Sequence, residues 1–456
     1  MRVTSAFSRL LRLEGVWIKK VRFEPKAVVV EVALRRRCLV CPLCEHTSRA
    51  RKDTRPQDTA WRHLDLGVWR LEVHCRRRRL VCPEHGARAE GVPFARPGSE
   101  FTRDFECLVA WLATRTDKTT IKRMLRIDWD TVGRIIARVC ADELDPDRLE
   151  NLFEIGIDEV SWRKQHRYLT LVVDHQRRQV VWGTEGAGEH AADEFFGELD
   201  PELLAPPPQP QTVEIQPNSP GLGEPEDNAE DPPPRIGQRA AKLRAISMDM
   251  GAGYAKSARA HAPQATVCID PYHVVQLANK ALDEVRRSYW NELRQLGDQD
   301  AAKRFKDSRW SLLKAPKNLT DKQAATLRRL KAAGGEVWRG YTLKEAVRGI
   351  FEHGLSLQDV TMLIDRLLSR LARSRLEPFV RLGKTIRKHR DGILHAIRLG
   401  ITQGRTEALN NKVRLITRRA YGFHSAKAAL ALVLLTCGPI TLHLPHELHV
   451  PDSPQT

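Results

Sequence analysis

Nowhere in the 456 residues does an apolar run approach the roughly 20 residues that a membrane-spanning helix needs. The longest, Ala428 to Cys437, has the length of one buried helix, so no membrane partner is expected. The opening residues, MRVTSAFSRLLRLEG, lack a sustained apolar core and a small-residue cleavage site, so no secretory signal is expected either. Cysteine is sparse and odd in number, nine in all. With a C-x-x-C pair in a long basic chain, that fits metal binding in a reducing cytoplasm better than a disulfide framework. Acids are in deficit: 57 Asp and Glu stand against 75 Lys and Arg, a net charge of +18. A surplus of that size favours a polyanionic partner.

What is present is long enough for several domains. The central stretch runs from Phe153 to Trp162, an apolar strand carrying one lone carboxylate, Asp158. Two further strand-like runs, Arg167 to Asp174 and Gln179 to Glu185, follow at hairpin spacing. Two more, Ala245 to Met250 and Ala265 to Asp270, flank a helix-length segment. A three-strand meander followed by β-α-β predicts a mixed sheet with helices on its faces. In the order 3-2-1-4-5 the first and fourth strands are neighbours, which brings Asp158 and Asp249 to one site. Paired carboxylates repel, and a divalent cation relieves the repulsion. A third acid, Glu407, opens the helical stretch Gly404 to Lys412. Asp, Asp and Glu on strand, strand and helix suit two-metal phosphodiester chemistry with Mg²⁺ or Mn²⁺.

Upstream, Val16 to Phe23 and Val28 to Leu34 predict a β-hairpin turning at Pro25-Lys26. Cys41-Pro42-Leu43-Cys44 and Cys82-Pro83-Glu84-His85 offer two ligands each at matched spacing, joined by strand-like sequence from Val68 to Arg76. Two such loops make a zinc ribbon with a closed, structural Zn²⁺ site. Cys41, Cys44, Cys82 and His85 are the first choice of ligands, with Cys38 and Cys75 as alternatives for the fourth position. Residues 101 to 140 then read as three short helices, the last from Trp129 to Cys140. Val132, Ile135, Ile136 and Val139 face inward there, leaving Asp130, Thr131, Arg134 and Arg138 outward, of which Thr131, Arg134 and Arg138 are the expected DNA contacts of a helix-turn-helix.

Residues 201–234 hold 11 of the chain's 26 prolines and more acids than bases, which predicts a disordered insertion. Asp270 rivals Asp249 as the second acid, but its strand lies one place further out. His273 follows at a helix start, and Asp270 and His273 are expected to support the site. Residues 288 to 400 are polar, basic and helical in pattern. On the last motif helix, with Thr406 as its expected N-cap, Glu407, Asn410 or Asn411, Arg414 and Arg418 share one face. Leu409, Val413 and Ile416 share another.

The segments IGIDEVSW, SMDMGAGYAKSA, CIDPYHVVQLANKALDEVRR and GRTEALNNKVRLITRRAYGF, in that order, resemble bacterial insertion-sequence transposases of the ISL-three branch of DDE enzymes. The resemblance runs from about Cys41 to about Phe423, and members often carry a cysteine where His85 stands. It implies a multidomain α+β chain whose ribonuclease-H-like catalytic core contains a helical insertion. It also implies Mg-dependent cleavage at terminal inverted repeats and strand transfer into target DNA, by a homodimer or larger assembly in the cytoplasm at the nucleoid. The expected domains are a zinc ribbon (1–95), a helix-turn-helix (96–148), and a core (149–287) with a Pro-rich insertion at 200–236. A helical insertion (288–400), final core helices (401–445) and a tail (446–456) complete the chain. A DNA-binding regulator derived from a transposase, or a nuclease or resolvase that only hydrolyses, are the competing readings.

Overall fold

The computed structural model describes residues 2–163, 167–204, 236–351, 355–401, 403–420 and 423–447. The proline-rich stretch lies almost wholly outside them. The chain divides into two units, residues 1–145 with 416–456, and residues 146–415. The sequence reading continued the catalytic core to residue 445; here the division falls inside the last motif helix.

In the first unit, helix α1 (Val3–Leu11) packs beside a four-stranded sheet. Its strands are β1 (Val16–Phe23), β2 (Ala27–Leu34), β3 (Thr59–Leu66) and β4 (Trp69–Cys75), in the order β1-β2-β4-β3. The β1–β2 hairpin is the expected one, while β2 and β4 run parallel. Val28, Val30, Val32, Leu71, Val73 and Trp61 fill its core against Phe7 and Phe94. A small hairpin, β5 (Arg78–Cys82) and β6 (Gly86–Ala89), follows.

Three helices come next: α2 (Arg103–Ala113), α3 (Lys118–Leu125) and α4 (Trp129–Glu143). Thr102 caps α2 by accepting from the Phe105 amide, and Asp117 caps α3 through the Thr119 and Thr120 amides. Arg62 on β3 donates to the carbonyls of Leu125 (2.6 Å) and Arg126 (3.0 Å), closing the C-terminal end of α3. Arg96, 2% exposed, ties α2 to α4 by pairing with Glu106, Asp142 and Glu143.

The second unit is built on a five-stranded sheet: β7 (Glu154–Arg163), β8 (Arg167–Asp174), β9 (Gln179–Glu185), β10 (Ala245–Met248) and β11 (Thr266–Ile269). Its order is β9-β8-β7-β10-β11, antiparallel through the meander and parallel from β7 to β11. This is the predicted 3-2-1-4-5 order. Helix α5 (Glu189–Leu199) buries Phe195 and Phe196 against it, each contributing about 2–3 kcal/mol of apolar burial. Helix α6 (Ala252–His261) is the β10–β11 crossover, and α7 (Pro271–Gln295) starts where β11 ends.

The expected helical region is seen as α8 (Gln299–Lys306), α9 (Arg309–Leu313), α10 (Asp321–Ala333), α11 (Gly335–Ile350), α12 (Leu357–Ala372), α13 (Glu377–Lys388) and α14 (Arg390–Arg398). Helix α14 lies so close to β11 that a Cβ on Gly392 would stand 2.8 Å from Ile269 Cγ1. Helix α15 (Gln403–Arg419) begins in the second unit and ends in the first. The apolar α16 (Ala426–Cys437) then packs on α4. Among the described residues no helix is long and apolar enough to cross a membrane.

Arg96→Ala is expected to lower the unfolding free energy by about 1–3 kcal/mol, because Glu106 at 0% exposure would lose one of its two arginine partners and Glu143 would lose its pairing with Arg96. Denaturant titration of the full chain measures this; a loss below about 1 kcal/mol contradicts the assigned role.

Candidate active site and nucleic-acid interface

The parallel ladders decide where the acids go. Ile157 pairs with Met248, and Met248 with Ile269. The next residue of each chain segment is Asp158, Asp249 and Asp270, and the ladder persists that far, since the Asp270 amide donates to the Met248 carbonyl at 3.3 Å. Three carboxylates therefore stand in line across three adjacent strands, Asp158 within β7 and the other two at the C-terminal ends of β10 and β11, where open α/β sheets bind their ligands.

Each is held differently. Asp158 Oδ1 accepts from the Glu159 amide at 2.8 Å. Asp249 is half-exposed, accepts from the Met250 amide at 2.5 Å, and pairs with His273 Nδ1 at 3.5 Å. Asp270 caps α7, accepting from the Tyr272 amide at 2.9 Å, with Pro271 in the first turn where no amide is needed. Burial pushes the Asp270 carboxyl above the usual carboxylate range, and the charges of Asp158 and Asp249 push the same way. The Tyr272 amide and His273 oppose the rise. Negative charge accumulating on oxygen donors, with Asp249 open to solvent, fits a hard divalent cation.

Sequence reasoning missed one neighbour. His389, where α13 meets α14, is held below the ordinary imidazole value by burial and by Lys388, with Asp249 acting in the opposite sense. Nothing in Lys388-His389-Arg390 signals that proximity, which depends on how the helical insertion folds back. Glu407 lies on α15, but its side chain falls outside the described residues, as does that of Asn410. The helix starts at Gln403, so Thr406 sits inside it and is not its N-cap. Leu409, Val413 and Ile416 are buried as expected, and Asn411, Arg414 and Arg418 are exposed.

In the first unit, Cys41, Cys44, Cys82 and His85 converge with their ligand atoms within 4.8 Å of one another. The contacts are 3.4 Å for Cys44 Sγ to Cys82 Sγ, and 3.6 and 3.9 Å from His85 Nδ1 to the Sγ atoms of Cys82 and Cys41. Tetrahedral zinc with ordinary bond lengths requires edges of about 3.8 Å between sulfurs and about 3.6 Å from sulfur to nitrogen. The donor set and spacing fit that ion. Cys75 instead belongs to the sheet core, where burial pushes its thiol up to about 11. Cys38 is not among the four.

Two expected DNA contacts on α4 are corrected. Thr131 is only 8% exposed, and its hydroxyl accepts from Arg134 at 2.9 Å. Arg138 is turned inward to the buried carboxylate of Glu106. Helix α16, distant in sequence, also packs on α4. Arg134 stays exposed, and α3 shows solvent Thr119, Thr120, Lys122 and Arg123.

Residues 155–213 and 235–432 match a family described as Transposase, of the DDE type and ISL3 group. Residues 90–140 match the helix-turn-helix domain of transposase family ISL3. The first match skips residues 214–234, inside the proline-rich stretch. The transposase for insertion sequence element IS1557 of Mycobacterium tuberculosis is 34% identical over 396 residues, covering 82% of this chain and 81% of its own length. The transposase for insertion sequence element IS1001 of Bordetella parapertussis is 27% identical over 365 residues, covering 79% and 80%.

Full-length protein is expected to retain zinc near one equivalent per chain, and His85→Ala to lose most of it while residues 39–89 become protease-sensitive. Metal analysis with limited proteolysis checks both; a zinc-free chain with that segment intact contradicts the assignment.

Proposed function

The chain belongs to the ISL3 family of DNA transposases, and from that premise we propose that Asp158, Asp249 and Glu407 hold the catalytic divalent ions. The observation that carries the reading is the alignment of Asp158, within β7, with Asp249 at the C-terminal end of the neighbouring β10. Strand order and direction support a ribonuclease-H-like core, with α15 bringing the third acid from the far end of the sequence.

Bound Mg²⁺ or Mn²⁺ supplies Lewis-acid charge to an in-line displacement at phosphorus. Asp158 offers a carboxylate fixed by its neighbour's amide on a buried strand. Asp249 faces the solvent side, where a phosphodiester approaches, and His273 fixes its carboxylate. Asp270 is a positioning residue: by capping α7 it sets the direction from which His273, three residues on, meets Asp249. The first displacement breaks the phosphodiester at the element's end with water. The freed 3′-hydroxyl then breaks a target phosphodiester in the second. Most of the rate gain comes from holding these reactants in line in a charge-matched site.

The Cys3His cluster reads as the structural Zn²⁺ of a ribbon. Together with α3 and Arg134 of the helix-turn-helix it recognises terminal inverted repeats, and Asn410, Asn411, Arg414 and Arg418 meet DNA near Glu407. Joining two ends calls for a homodimer or larger assembly, working in the cytoplasm at the nucleoid where its substrate lies. Neither the regulator nor the hydrolysis-only reading gains an observation in its favour.

Incubated with its own flanking DNA and Mg²⁺, the protein is expected to nick the ends and form strand-transfer products. Asp158→Asn, Asp249→Asn or Glu407→Gln each lowers cleavage at least about a thousandfold with end binding kept. Near-normal cleavage by one of the three removes that residue from the set.

A further inference from the structure

Two runs of arginine, Arg35 to Arg37 and Arg76 to Arg79, are 38 residues apart in the chain but leave the first unit's sheet side by side. The cause is the parallel β2–β4 pairing, in which Val32 stands opposite Cys75, so both strands end at the same edge. Like charges brought together this way need neutralising. Arg78 is neutralised from within: Glu90, 1% exposed, accepts from its backbone amide and its guanidinium at 2.7–2.9 Å. Arg78 also donates to the carbonyls of Arg36 (3.1 Å) and Arg37 (3.3 Å), locking the two runs together.

Of the other arginines in the runs, Arg76 pairs with Asp58 at 2.8 Å and Arg79 with Asp53 at 3.2 Å. A concavity of about 610 Å³ opens between the Cys41-Pro42-Leu43 loop and the Pro97-Gly98-Ser99 turn. Trp61 lies on its wall, and five arginines line it against one acid, Glu45. Arg96 and Arg103 are neutralised by Asp142 and its neighbours. Arg36, Arg77 and Arg88 make no ion pair among the described residues. Arg36 donates to the Gly91 carbonyl, yet its Nε is buried without a hydrogen-bond partner. Arg77 rests over the Trp61 ring at 5.4 Å and donates to Thr59 Oγ1 at 3.2 Å. Burial above all holds both guanidinium groups below their ordinary value; Arg78 adds to this at Arg36 and Arg55 at Arg77, while Glu90 opposes it at both.

We propose that this groove grips the phosphodiester backbone of duplex DNA through Arg36, Arg77 and Arg88, independently of base sequence. Guanidinium forks suit phosphate oxygens, and a negative ligand supplies the charge that the fold withholds here but provides at Arg78 and Arg96. Arg36 and Arg77 are pinned by Gly91 and Thr59, so they meet what enters the concavity and do not reach base edges in a groove. The inference rests on DNA as the partner class of the reading above. It adds a phosphate clamp beside the metal cluster, separate from the helix-turn-helix surface.

The test uses full-length, zinc-loaded protein and fluorescence anisotropy over a series of salt concentrations. The probes are a duplex carrying its own element's end and a scrambled duplex of equal length. Arg77→Gln with Arg88→Gln is compared with wild type, zinc content confirming that the module is folded. The exposed Arg88→Gln alone serves where the double variant loses zinc. The double variant is expected to weaken both duplexes by roughly tenfold or more near physiological salt. The slope of log K against log salt should fall by about two, and for Arg88→Gln alone by about one. Unchanged affinity and slope in zinc-replete variants overturns the clamp, and so does a loss confined to the end duplex with the slope kept. A wild type that prefers its own end no more than the scrambled duplex contradicts the transposition reading instead. The slope loss on scrambled DNA would still support the clamp.

Discussion

Everything in the second unit depends on how the parallel ladder aligns three strands. Once Ile157, Met248 and Ile269 share a register, the three aspartates that follow them have no freedom to separate along the strand direction. The fold thus imposes repulsion among like charges, and it offsets only part of it: one amide apiece for Asp158 and Asp249, a helix N-terminus for Asp270, and His273 for Asp249. The close packing of α14 on β11, permitted by Gly392, keeps Asp270 from relaxing outward. The negative charge gathered there is what the proposed divalent cations would neutralise.

The same distinction sorts the other charged clusters. Where the fold supplies the counter-charge, the cluster is structural: Arg96 among Glu106, Asp142 and Glu143 joins two helices, and Arg78 on Glu90 joins two arginine runs. Where it does not, the cluster awaits a ligand. Three thiols and an imidazole crowd within a metal's reach. Cys44 is pushed up to about 11 by burial and by Cys82 and Cys41, against a backbone hydrogen bond at His46, while hydrogen bonds from the loop hold Cys41 below its usual value against burial. Thiolates this close repel one another, and a cation among them relieves the repulsion. The unpaired arginines of the adjoining groove pose the inverse problem, which phosphate solves.

Much of this was legible before any coordinates. The meander and its order followed from apolar runs at hairpin spacing, and the acids stood out because Asp158 interrupts residues that want burial. The matched Cys-Pro loops pointed to their ligands, His85 among them, and the alternative Cys75 is carried by β4 into the sheet core. The failures share a cause: long-range packing leaves little local trace. Thr131 and Arg138 look outward on a helical wheel of α4 drawn alone, yet Thr131 is buried in the fold and Arg138 pairs with the buried Glu106. Strand β3 was missed because Arg62 and Asp65 break its apolar pattern, and both are used to hold α3 and Arg126. The arginine runs passed without notice in the sequence, since only the parallel pairing joins them.

Counting bound Mn²⁺ by electron paramagnetic resonance, on zinc-replete protein held on its own end DNA, tests the central claim most directly. The account predicts Mn²⁺ retained by the wild-type chain and released when Asp249 is changed to Asn, with the DNA still bound. Equal Mn²⁺ occupancy in the two proteins would contradict it.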